Sequence, residues 1–244
     1  MVTSRRMRDP AWPARLDLLP GDVHVIRILL DGPADASVLN DDERGRAGRF
    51  HFDRDRRRFV AAHGWLRVTL GRCLDRRPES LRFVTGPYGK PRLVDPPVDL
   101  RFNLSHGGER ALLAVTLGRE VGVDVEEERP IEELDLAGRF FSAAEAACLR
   151  ALPEADRRAA FFRCWTRKES FIKAVGEGLT FPLDAFEVSL GREDAPQLLR
   201  ACQARGQALE HWRIVPLPID DGYAAALAAE AGDWRVVRWN AIGP

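Results

Sequence analysis

The chain has 244 residues, with 37 Lys and Arg against 37 Asp and Glu, so its formal net charge is +0. That length suits one large domain or two small ones, at roughly 100–200 residues each. The balanced charge argues against a general nucleic-acid binder, which carries a basic excess, and no apolar run approaches the ~20 residues of a membrane-spanning helix. The basic start of the chain is broken by Pro10, Pro13 and Pro20 and has no apolar core segment, so it does not read as a signal peptide and a cytoplasmic protein is expected. Cys73, Cys148, Cys164 and Cys202 are far apart with no CxxC pair, which fits free thiols in a reducing compartment better than a zinc site.

In chain order, Asp22–Leu30 reads as a strand, Asp41–Leu70 as one or two helices, and Leu81–Val84 as a short strand before the turn Gly86-Pro-Tyr-Gly89. Arg101–Leu104 and Ala111–Leu117 read as strands flanking a loop, Ser105-His-Gly-Gly108. Val121–Glu126 alternates cleanly as a strand. Helices are expected at about Ser142–Leu152 and Asp156–Val175, with strands near Ala185–Leu190, Trp212–Leu217, Tyr223–Ala228 and Trp234–Trp239. Each half thus contains strands and a long helix. The expected architecture is α+β: two similar subdomains, 1–119 and 120–244, with the active site in the cleft between them.

The strand Val121-Gly-Val-Asp-Val-Glu126 puts its valines on one face and Asp124 and Glu126 on the other. At a rise of ~3.3 Å per residue the two carboxylates sit about 7 Å apart at Cα, a repulsion that a divalent cation such as Mg²⁺ relieves. Read alone, a solvated strand face explains them better than a metal does. The second helix carries Trp165-Thr-Arg-Lys168-Glu169-Ser-Phe-Ile-Lys173 and stops at Gly176 and Gly178. Phe161, Trp165, Lys168, Glu169, Ile172 and Lys173 are expected on one side of it. Glu169 and Lys173 also have the spacing of a simple surface ion pair, worth about 0.2–0.5 kcal/mol.

Only three of the 37 basic residues are lysine: Lys90, Lys168 and Lys173. In a chain that uses Arg almost everywhere, the retained lysines either mark positions needing a compact ammonium rather than a planar fork or are remnants without meaning, and the count alone favours neither. Lys90 stands in the turn Gly89-Lys90-Pro91. Ser142-Ala-Ala-Glu145 is a capping box, which by itself accounts for Glu145. The run of arginines from Arg44 to Arg58 reads mainly as a solvated helix face, with one or two able to grip a phosphate. His24, His51, His63 and His211 read as structural.

Together, Gly89-Lys90-Pro91, Asn103-x-Ser105-His106, Gly122-x-Asp124-x-Glu126, Phe140-Phe141-Ser142-x-x-Glu145 and Trp165-x-x-Lys168-Glu169-x-x-x-Lys173-x-x-Gly176-x-Gly178-Leu179 resemble the 4'-phosphopantetheinyl transferases of the surfactin-synthetase-activating type. The resemblance covers about Asp41 to Val188. It implies two halves related by a pseudo-two-fold axis in one monomeric chain, coenzyme A between them, Mg²⁺, and an apo acyl or peptidyl carrier protein as partner, with no role for nucleic acid or a membrane. By motif match, Asp124, Glu126 and Glu169 would form the metal set, with Glu145 near it. Lys168 and Lys173 would face the coenzyme A phosphates. Lys90, Pro91 and Arg92 would line the nucleotide site, Ser105 and His106 would contact phosphate, and Arg58 and Arg46 would join His106 at the 3'-phosphate. Catalysis would fall to Glu169 as base, with Lys173 and Lys168. Glu43 stands where relatives often carry a basic residue, and His63 where many carry Arg. The segment Glu127–Ala137, acidic with apolar Ile131, Leu134 and Leu136, would dock the carrier, with Arg129 or Arg139 supplying charge. The alternative is a non-catalytic coenzyme A-binding protein on the same fold.

Overall fold

The computed structural model describes residues 13, 17–32, 34–191, 198–201 and 211–241. Cys202 and most of the Pro-rich start lie outside the described residues.

The two halves repeat one motif. The first runs β1 (Asp22–Leu29), α1 (Asp41–Ala47), α2 (Asp53–Leu74), a hairpin of β2 (Phe83–Thr85) and β3 (Pro91–Leu93), then β4 (Leu100–Gly107) and β5 (Arg110–Leu117). The second runs β6 (Val121–Glu127), α3 (Glu133–Phe140), α4 (Ala143–Ala151), α5 (Glu154–Val175), a hairpin of β7 (Phe186–Val188) and β8 (Leu198–Ala201), then β9 (Trp212–Pro216) and β10 (Tyr223–Glu230). The sheet orders correspond, β1-β5-β4 and β6-β10-β9, with all these neighbours antiparallel. Both major helices, α2 and α5, have 22 residues. The last strand, β11 (Arg235–Asn240), returns to pair in parallel with β1. A boundary at residue 119 therefore divides the repeated motif but not the first sheet.

Alternation along the strands builds the layers. Ile26 and Ile28 of β1 face α2 and meet Ala61, Trp65 and Leu66. Val23 and Val25 face the other way, against Val121, Val123, Val125 and Leu227 of the second sheet. The opposite face of β10 presents Ala224, Ala226 and Ala228 to Phe161, Phe171 and Ile172 of α5. The order is helix, sheet, sheet, helix. The valine face expected of β6 is thus the seam between the sheets, and its carboxylate face turns to α5.

Two segments differ from the sequence reading. Ser105-His106-Gly107 is not a loop: β4 continues through it, pairing Ser105 with Leu112 and His106 with Ala111. The turn is left to Gly108, at φ +54°, and Glu109. The segment after β6 forms α3, which the sequence reading did not expect. Ile131, Leu134 and Leu136 pack partly against the second core, leaving Phe140 exposed against Trp165.

Glycine allows two close approaches, one within the second half and one between the halves. A Cβ on Gly122 of β6 would lie 2.1 Å from the Ser170 carbonyl oxygen and 2.3 Å from the Ala174 nitrogen of α5. One on Gly107 of β4 would lie 2.6 Å from the Val125 carbonyl oxygen. These are backbone atoms, so α5 can lie directly on β6, and β4 can cross it, only where a side chain is missing.

Candidate active site

The site lies where β4 of the first half meets β6 and α5 of the second. Asn103 and Ser105 share a face of β4 at period 2. Asn103 Oδ1 accepts the Val123 N–H at 2.8 Å, which fixes the β4–β6 register. Ser105 Oγ donates to Asp124 Oδ1 at 2.8 Å. From α5, Lys173 Nζ donates to Ser105 Oγ at 2.9 Å and pairs with the same Asp124 oxygen at 2.5 Å. Asp124 is buried, and its second oxygen, Oδ2, has no hydrogen-bond partner among the described residues.

Glu126 and Glu169 are half-buried beside this cluster. Burial, reinforced by the Asp124 charge, pushes the Glu126 carboxyl up to about 7. The same two causes raise Glu169, with Lys173 opposing them. His106 is held below the ordinary imidazole value by burial, then by the Lys173 ammonium and the His63 ring. Three carboxylates therefore compete for one ammonium, and the site carries an excess of negative potential. Among the described residues, no three His, Cys, Asp or Glu side chains are grouped so that they could hold a metal ion as they stand. The donor chemistry still suits a hard divalent cation: three carboxylates, one of them with a buried oxygen left unpartnered.

Lys168 and Glu145 do not join the cluster. Lys168 is fully buried, its Nζ donating to the carbonyls of Leu183 at 2.7 Å and Phe186 at 2.5 Å and pairing with Glu145 Oε2 at 2.8 Å. With three donors on three oxygens it has none left for a phosphate. Glu145, also buried, accepts the N–H groups of Ser142 at 2.9 Å and Val188 at 2.8 Å. The capping box is as expected, and Lys168 is its internal counter-ion.

The basic residues expected at the nucleotide are spread along the first half. Arg58 forms a two-pronged pair with Asp31 at 2.7 and 2.8 Å, and Arg46 lies over the Phe59 ring. Arg92 bonds Glu120 at 2.8 Å, and Pro91 opens β3. Lys90 is nearly buried at the junction of the halves. Behind His106, His63 stacks on Phe59 and meets Glu43 Oε1 at 3.4 Å. Glu43 is buried and held by Arg67 at 2.5 Å. Asn103 enters the sequence motifs without a role and Glu43 only as a departure from relatives, and Arg67 and Glu120 carry no assignment there. Continuing the strand through Ser105 would have flagged Asn103, since the two then share a face. Arg67 and Glu120 are paired across 19 to 30 residues, as in Arg67 with Glu43 and Lys90 with Glu120, and leave no local signal, whereas Glu43 also closes a capping box with Asn40 at the start of α1.

The chain is a pseudo-dimer: one antiparallel motif occurs twice, with an acidic site under the second long helix. Residues 33–117 match the N-terminal 4'-phosphopantetheinyl transferase family and residues 120–228 the 4'-phosphopantetheinyl transferase superfamily. The chain belongs to the 4'-phosphopantetheinyl transferases. It is 38% identical over 236 residues to the 4'-phosphopantetheinyl transferase HetI of Nostoc sp., covering 93% of this chain and 96% of the relative. It is 32% identical over 198 residues to the 4'-phosphopantetheinyl transferase Sfp of Bacillus subtilis, covering 81% and 85%. A mouse relative, L-aminoadipate-semialdehyde dehydrogenase-phosphopantetheinyl transferase, is 29% identical over 210 residues, covering 80% and 68%.

Proposed function

We propose that this enzyme moves the 4'-phosphopantetheine arm of coenzyme A to a serine hydroxyl of an apo acyl or peptidyl carrier protein of a polyketide or non-ribosomal peptide synthase. The serine oxygen forms a bond to the phosphorus that bears the pantetheine. The bond from that phosphorus to the adenosine phosphate breaks, and adenosine 3',5'-bisphosphate leaves with the electron pair. The observation that carries this reading is the Ser105–Asp124–Lys173 cluster flanked by Glu126 and Glu169. Phosphoryl transfer needs positioning and charge neutralisation more than covalent help, and those are what this donor set offers.

Asp124, Glu126 and Glu169 would hold Mg²⁺, which supplies positive charge for a pyrophosphate when bound. The Lys173 ammonium, on a half-buried stem, stabilises the charge that builds on the leaving phosphate. Glu169, on the same face of the site as Lys173, takes the serine proton directly or through a bound water. Ser105 holds Lys173 and Asp124 in register. Arg46 and Arg58 form the cationic rim for the 3'-phosphate, His106 contacts it as a neutral ring N–H donor, and Arg92 and Pro91 line the nucleotide side. On this reading the first half holds the nucleotide and the second holds the metal and the catalytic helix. The carrier docks beside α3, where Phe140 and Trp165 give an apolar contact and Arg139 a charge. Lys168 and Glu145 brace α4, α5 and β7 and touch no substrate.

The test follows adenosine 3',5'-bisphosphate by chromatography. Release that requires both coenzyme A and an apo carrier supports transfer. Release without a carrier means hydrolysis, and binding without release means a coenzyme A-binding protein.

A further inference from the structure

We infer that Lys90 is a positioning residue that reaches from the first half to hold the catalytic helix α5 against β6. This inference rests on the transferase reading above. The Lys90 Nζ donates to Glu120 Oε2 at 2.7 Å, to the Val121 carbonyl at 3.1 Å and to the Ala174 carbonyl at 2.9 Å. Its three donors are therefore used. Val121 begins β6, and Ala174 lies in the last turn of α5, where backbone carbonyls have no partner within the helix. An ammonium there also meets the negative end of the helix dipole.

The surroundings are built for this contact. Gly176 ends α5 at φ +82°, and a Cβ there would lie 3.2 Å from Lys90 Cδ. Gly178, at φ +59°, approaches the Tyr88 carbonyl in the same way, to 3.3 Å. The tip of the β2–β3 hairpin is thus seated on the end of α5. Glu120 anchors the arrangement: it also bonds Arg92 at 2.8 Å and Arg101 at 2.5 Å, and its own N–H donates to Glu230 at 2.8 Å. Lysine fits where arginine would not, because three oxygens, two from the start of β6 and one from the end of α5, converge on one point.

The consequence is mechanical. β6 carries Asp124 and Glu126, and α5 carries Glu169 and Lys173. Helix and strand already touch at Gly122, and Lys90 fixes the end of that contact nearest Lys173. Loosening it changes the spacing between the two donor pairs, and a misplacement on the order of 1 Å costs up to about a hundredfold in rate. An ammonium engaged in this way makes no contact with coenzyme A.

The experiment uses the full chain with Lys90→Met, which keeps the stem and removes the charge, and Glu120→Gln, which keeps the shape of the anchor. For each, kcat and KM for coenzyme A are measured, with the Kd of adenosine 3',5'-bisphosphate by calorimetry and hydrogen exchange over residues 121–124 and 171–176. The expected result is a fall in kcat of roughly tenfold, KM and Kd within about twofold of the parent, and faster exchange in both segments, with Glu120→Gln changing in the same sense. A tenfold rise in KM and Kd with exchange unchanged would overturn the inference and place Lys90 on the nucleotide. If the parent chain transfers nothing, the transferase reading fails, while exchange and bisphosphate binding still decide the role of Lys90. If Lys90→Met does not fold, Glu120→Gln decides it by the same readings.

Discussion

Lys168 and Lys173 lie on the same helix and serve different carboxylates: Lys168 pairs with Glu145 at 2.8 Å, and Lys173 pairs with Asp124. At 3.6 residues per turn, a spacing of five rotates a side chain by about 140°. One lysine is therefore turned toward α4 and β7, and the other toward the site. The short interval Lys-Glu-Ser-Phe-Ile-Lys joins a structural ion pair to a chemical one.

Lys168→Met leaves the Glu145 carboxylate buried without its cation. Removing one partner of such a pair costs about 3–5 kcal/mol, whereas replacing both by neutral groups costs much less. Urea denaturation should show the single variant strongly destabilised and Lys168→Met/Glu145→Gln recovering part of the loss. The folded fraction of either should bind coenzyme A as the parent does. A tenfold loss of coenzyme A affinity at full stability would place Lys168 on the phosphates after all.

Gly122→Ala adds one methyl group where β6 touches α5, with the Ser170 oxygen 2.1 Å from the new carbon. Neither backbone can yield without moving the helix. The variant should lose stability by at least 2 kcal/mol, an overpacking cost of roughly 1–3 kcal/mol added to strain, and should lose most of its transfer activity. Thermal melts and turnover measured on the same sample check this. An unchanged melt would mean that the close approach is absent in solution.

His24 carries a pH signature separate from the site. It is buried, and its Nδ1 accepts the Trp239 indole N–H at 3.0 Å, which requires an unprotonated nitrogen. Burial holds its proton affinity below the ordinary value, with Arg235 adding to the effect and Asp22 opposing it. As pH falls, the unfolded chain takes the proton first, so the stabilisation is complete above about 6.5 and is lost toward the lower folded value. Glu126, raised to about 7, acts in the opposite sense. Comparison with His24→Gln cancels that contribution. Between pH 7.5 and 5.5 the parent should lose more thermal stability than the variant, and parallel melting curves would contradict the assignment.

Much of this was legible in the sequence, because it is local. The β6 alternation gave the valine seam and the acidic face, the capping box gave the start of α4, and Gly176 gave the end of α5. The scarcity of lysine was also informative. Lys90, Lys168 and Lys173 each place an ammonium among two or three oxygens of buried or half-buried groups. What stayed hidden is non-local. Ser105-His106-Gly-Gly has loop composition, and only its pairing with β5 makes it strand. The pairs Ser105–Asp124 and Asn103–Val123 join two halves of the chain through a crossing that Gly107 permits. The acidic segment after β6 hid α3, because its apolar residues pack inward rather than forming a free docking face. Lys168 seemed to belong with Glu169 and Lys173 because the motif is contiguous, while the helix turns it away.

The proposed reaction is a metal-assisted transfer from coenzyme A to a carrier serine at the cluster around Asp124. The most direct measurement is intact mass spectrometry of an apo carrier protein incubated with this enzyme, coenzyme A and Mg²⁺, beside an Asp124→Ala control. The account predicts that the carrier gains the mass of one phosphopantetheine arm, and that the gain disappears with Asp124→Ala or with chelator. Carriers of several kinds remaining unmodified while coenzyme A binds, or an Asp124→Ala enzyme as active as the parent, would contradict it.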